Sequence, residues 1–132
     1  MYKTVIIIII AILISFTLCT VEKTNYNAHI LFENRNLNVG EIPYKSDGEY
    51  LFKFYNVGKE KLKIESVSLS CSCISAEWPK YEINQKDTSI ITVTTNTGRL
   101  GRFKESIAVH YNGIESPERL TISGNIVYKK SD

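Results

Sequence analysis

Two thiols separated by one residue, in Leu69-Ser70-Cys71-Ser72-Cys73-Ile74, are the groups of this 132-residue chain best suited to chemistry. On an extended strand, residues i and i+2 project from the same face, so Cys71 and Cys73 can act together. Three chemistries fit such a pair: redox cycling, a soft-metal site, and a nucleophile with a partner base. A direct bridge is awkward on a strand. Extended residues two apart have Cα atoms about 6.6 Å apart, near the upper limit of about 6.8 Å for a disulfide, so bridging demands a backbone bend. Side-by-side thiolates suit copper(I) or zinc(II). A closed zinc site takes four ligands, and the only imidazoles available are His29 and His110.

Other candidates carry less. His110 shares its phase with Lys104 and Ser106, which makes it a side chain of a wet strand face, and His29 opens the first strand. Neither has an acid or nucleophile at a triad spacing, so the chain is not expected to be an enzyme. Gly98-Arg99-Leu100-Gly101 lacks the Lys-Ser/Thr ending of a phosphate-binding loop. It reads as a hairpin turn with glycines at positive φ. Arg99, Arg102 and Lys104 beside it form a candidate patch for an anionic partner. Trp78-Pro79 ends a strand, and the indole is expected to cap the core. Glu115 and Glu118 flank Pro117 without the apolar cradle that a glycosidase acid needs.

The elements that must position these residues are strands. Tyr50, Phe52 and Phe54 alternate with polar residues; so do Phe103, Ile107, Val109 and Tyr111, and later Leu120, Ile122, Gly124, Ile126 and Tyr128. Period-two patterning marks strands with one buried face. Further strands are predicted at Ile30–Glu33, Leu62–Leu69, Cys73–Glu77 and Ser89–Asn96, with a phase slip between Ile64 and Val67 that predicts a bulge. Asn, Asp and Gly clusters separate them as turns. About seven short strands in one hundred residues predict an all-β, immunoglobulin-like sandwich over residues 29–128. Sixteen basic against 14 acidic side chains, a net charge of +2, is too balanced for a nucleic-acid binder.

Ahead of the domain, Lys3 is followed by an apolar run from Val5 to Leu18. As a helix this run is about 21 Å long, short of a bilayer core of roughly 30 Å. Residues 1–19 therefore read as an export signal, cleaved, lipidated at Cys19, or retained as an anchor, and residues 20–28 as a polar tether. The small residue usual before a lipid-accepting Cys is replaced by Leu18. The mature chain is expected outside the cytoplasm, in the periplasm or attached to a membrane.

The residues also resemble a known family. Phe54-Tyr55-Asn56-Val57-Gly58 with Leu62-Lys63-Ile64 is similar to the F-x-N-x-G-x-x-x-L-x-I hairpin of the bacterial domain of unknown function 1573 family. Ser70-Cys71-Ser72-Cys73-Ile74 resembles its S-C-G-C-T, with Ser72 for Gly and Ile74 for Thr, and Trp78-Pro79 follows. Gly101-Arg102-Phe103 through Val109, and Leu120-Thr121-Ile122-Ser123-Gly124, resemble its last two strands. The resemblance spans about residues 29–127. It implies an immunoglobulin-like sandwich of the sperm-protein and cilia-associated type, commonly exported or lipidated, with no shared enzymatic activity. The expected function is a non-enzymatic envelope module, structural or binding an envelope protein, with no cofactor. The alternative is a copper- or zinc-binding or thiol-redox module built on Cys71 and Cys73.

Overall fold

The computed structural model describes residues 1–15, 27–46 and 48–128. Cys19, with most of the expected tether, lies outside the described residues. A helix, α1 (Tyr2–Ser15), is followed by eight strands: β1 (Ile30–Phe32), β2 (Asn36–Pro43), β3 (Gly48–Asn56), β4 (Ile64–Leu69), β5 (Ile74–Glu77), β6 (Thr88–Thr95), β7 (Gly101–Tyr111) and β8 (Glu118–Val127). No helix among the described residues is long and apolar enough to cross a membrane.

Two four-stranded sheets, ordered β1-β3-β6-β5 and β2-β8-β7-β4, face each other. Their inward positions supply one core: Ile30, Phe52, Phe54, Leu62, Ile91, Val93, Ile107, Val109, Leu120 and Ile122 are all essentially inaccessible. Each such side chain contributes about 1.5–3 kcal/mol by leaving water. The expected bulge is present as a register shift between Ile64 and Ser66 on β4. Leu62 is held ahead of β4, in a single bridge to Ile83.

The strand missing from the expected seven is β2. It is an edge strand paired in parallel to β8, with a register shift between Asn38 and Glu41. Only Ile42 of its eight residues is buried; Leu37 and Val39 alternate with exposed Asn36 and Asn38 and pack against the core half-covered, a pattern that stops at Gly40. Gly40, at φ +68°, breaks its extended run.

Connectivity corrects two other readings. The turns after β3 and β6 are not hairpins, because each carries the chain from one sheet to the other. After β3 the crossing is organised by Asn56, which is fully buried. Its amide donates to the carbonyls of Glu60 (2.8 Å) and Ile83 (3.0 Å), and its side-chain oxygen accepts from Gly58 N–H (3.0 Å). A Cβ on Gly58 would collide with the backbone of Asn27 and His29. That close approach lets Val57 and Lys59 donate to the carbonyls of His29 and Asn27, at 3.0 and 3.2 Å. The F-x-N-x-G pattern is thus a clamp on the segment leading into β1, at one end of the sandwich.

Candidate functional site

At the opposite end, two crossings between the sheets lie side by side. Residues 70–73 carry β4 into β5, and residues 96–100 carry β6 into β7. Asn96 N–H donates to the Cys73 carbonyl at 2.8 Å, and Ser70 N–H to the Ser106 carbonyl at 3.0 Å. The Ser70 hydroxyl donates to the Glu105 carboxylate (2.5 Å) and accepts from Ser106 N–H (3.0 Å). The loop starts with an Asn96 side chain accepting from Gly98 N–H (2.8 Å) and ends at Gly101, whose φ of +109° suits only glycine.

Cys71 and Cys73 therefore sit in a bend, not on a strand as the sequence reading had them. The bend shortens the Cα separation to 5.2 Å, and the two are joined as a disulfide. No residue from 70 to 73 takes a positive φ, so Ser72 serves where the family pattern has Gly. Both cysteines are half-buried and pack against the core. Cys73 N–H donates to Cys71 Sγ at 3.1 Å.

Between the crossings lies a groove of about 270 Å³, with Cys73, Ile74 and Thr95 on one wall and residues 99–105 on the other. All three members of the expected cationic patch, Arg99, Arg102 and Lys104, line it and are exposed. Glu105 also lines it, and its carboxylate lies within 4.8 Å of both sulfurs. Sequence reasoning passed over Glu105. The available signal was a carboxylate between Phe103 and Ile107, in the inward phase of β7, where an apolar residue is due.

The model of the family described as "Protein of unknown function (DUF1573)" matches residues 30–126. The chain belongs to that family. No curated protein matches it. Among solved structures, it is similar to a protein of unknown function from Porphyromonas gingivalis W83, with TM-score 0.68 and 12% identity over 80% of this chain and 51% of that one. The ASH/PapD-like domain of human CEP192 gives TM-score 0.64 and 10% identity over 85% and 93%. The YadV chaperone gives 0.58 and 11% over 78% and 54%. The chain spans about half the length of the first of these. At such identities the likeness is one of fold: a PapD-like, immunoglobulin-like sandwich.

In this DUF1573 domain the two histidines stand away from the cysteine pair. His29 Nδ1 pairs with Glu115 at 3.1 Å, beside the segment leading into β1. His110 Nε2 meets the Ser68 hydroxyl at 3.3 Å, across β4 and β7. The one group of three metal-ligating side chains among the described residues is Cys71, Cys73 and Glu105, so the third donor is a carboxylate. While the sulfurs are bonded to each other they offer no thiolate, which confines copper or zinc binding to the reduced pair. Trp78 packs against the core as expected, with Lys80 Nζ over its ring at 3.1 Å from the centroid. Glu118 is buried and paired with Arg35 at 3.2 Å.

Proposed function

We propose that the chain is a non-enzymatic protein of the cell envelope, exported and held at a membrane through its N-terminal segment or a lipid on Cys19. Its sandwich binds an acidic segment of another envelope protein. The observation that carries this reading is the groove between the two crossings, lined by Arg99, Arg102 and Lys104 at the end of the domain remote from Asn27. Three cations around one concave surface attract and orient an anionic chain.

The test is site-specific photocrosslinking in intact cells, with the reactive side chain placed at exposed Leu100 in the groove or at exposed Ile114 at the other end. A defined adduct from position 100, lost with Arg99→Glu plus Arg102→Glu and absent from position 114, is expected. No adduct, or equal adducts from both positions, overturns the reading. A second reading, thiol-redox or metal chemistry, is favoured by one specific observation: Cys73 forms part of the same wall.

A further inference from the structure

We infer that the Cys71–Cys73 bridge is a thiol–disulfide exchange site with a built-in polarity, in which Cys73 is the sulfur attacked and Cys71 the sulfur released. The inference deepens the thiol reading of this end of the domain and rests on it; it does not need the acidic partner. Cys73 lines the groove and Cys71 does not, which gives an incoming thiolate a path to the Cys73 side of the bridge. The Cys73 backbone N–H already donates to Cys71 Sγ, at 3.1 Å. A hydrogen bond to the charged form favours a thiolate there, and a more stable leaving thiolate departs faster. The cross-link itself closes a ring with one intervening residue, and so restricts the unfolded chain far less than a long loop does.

The reactant is a dithiol, carried by a protein or a small molecule. Its first thiolate forms an S–S bond to Cys73 Sγ; the Cys71–Cys73 bond breaks, and its electron pair leaves on Cys71 Sγ. The second thiolate then attacks its own neighbour in the mixed disulfide and releases Cys73 as a thiolate. The dithiol is oxidised to a disulfide, the pair is reduced by two electrons, and the protons shed by the dithiol end on Cys71 and Cys73 or in water. Arg99, Arg102 and Lys104 around the groove favour a reactant that carries negative charge.

The experiment uses the full chain with Cys19→Ser, which leaves Cys71 and Cys73 as its only cysteines. The oxidised protein is exposed to 2-mercaptoethanesulfonate or to cysteamine under native conditions. Freed sulfurs are capped with N-ethylmaleimide, and the adducts are mapped by mass spectrometry. The expected result is thiol on Cys73 and maleimide on Cys71, favoured over the reverse by roughly tenfold or more. The anionic thiol should react faster by roughly tenfold at low salt. Thiol placed mainly on Cys71, an even distribution, or reaction only at denaturant concentrations that shift Trp78 emission overturns the inference. Selective attack on Cys73 with no preference for the anionic thiol upholds the exchange site and counts against the acidic-partner reading instead.

Discussion

Replacing Asn56 by Ala should cost the domain about 3 kcal/mol, and the structure shows where that loss arises. The side chain makes three hydrogen bonds from a fully buried position. Of the groups it leaves, the Ile83 carbonyl keeps the Leu62 N–H at 2.9 Å, and the Glu60 carbonyl belongs to a half-exposed residue that water can reach. Gly58 N–H belongs to a buried residue and has no other hydrogen bond, so it bears the full penalty of an orphaned donor, about 1–3 kcal/mol. The other two bonds add about 1 kcal/mol each at most. At roughly 4–8 °C per kcal/mol for a domain this size, the Tm should fall by roughly 12–24 °C.

Asn56→Asp separates the bonds from the volume. It keeps the acceptor for Gly58 N–H but replaces the amide donor by a carboxylate oxygen that faces two carbonyl oxygens, so at pH 7 it should be worse than Ala. Burial raises the folded-state pKa of such a carboxyl above its unfolded value, so its deficit relative to the native chain shrinks as pH falls. Urea unfolding followed by Trp78, the single tryptophan, measures all three proteins. An Asn56→Ala loss below about 1 kcal/mol, or an Asp variant as stable as Ala at pH 7, would refute the clamp.

Further consequences follow from other sites. Cys71→Ser with Cys73→Ser should lower stability by only about 1.5 kcal/mol, the chain-entropy value for so short a loop, and leave the circular-dichroism spectrum of the sandwich unchanged. Glu105→Gln should speed thiol exchange on the order of fourfold, because it removes a negative charge beside both sulfurs; stopped-flow thiol consumption reads this. Burial, with Glu118 and Glu115 nearby, pushes the Tyr111 phenol above its usual value of 10.0. The folded state then holds that proton after the unfolded chain has lost it, so stability is intact below pH 10 and falls as pH rises toward the folded pKa; Tyr111→Phe should flatten the fall in urea titrations. Arg35→Ala leaves buried Glu118 without its cation and should cost about 1–3 kcal/mol in the same assay.

What could be read in the sequence was what one buried face imposes. Phe52, Phe54, Ile107, Val109, Leu120 and Ile122 announce their strands because each alternates with a wet neighbour. In β2 the signal is short, Leu37 and Val39 between Asn36 and Asn38 and then Gly40, and the strand is held by its backbone pairing to β8 with its apolar residues mostly half-covered. Periodicity also carries no record of which sheet a strand joins, so crossings passed for hairpins. That error hid the site. Read as a strand, Ser70–Ile74 places its cysteines too far apart to bridge easily; as a corner it brings them within reach and sets them beside residues 99–105. The Arg99, Arg102 and Lys104 cluster and the cysteine pair were each visible in the sequence, whereas their facing one another across a groove was not.

The placement of that groove bears on what its cations meet. The strand β7 runs from Gly101 at the groove to Tyr111 near Gly113, and Gly113 bridges Asn27 where the described domain begins. Eleven residues at about 3.3 Å each separate the two ends by roughly 35 Å. Arg99, Arg102, Lys104 and the disulfide thus stand further from Asn27 than charges interact through a Debye length of about 8 Å at physiological salt. Charges at the Asn27 end therefore act on the groove cations only weakly. The same separation lets the corner exchange its bridge while the Asn56 clamp keeps the end at Asn27 closed.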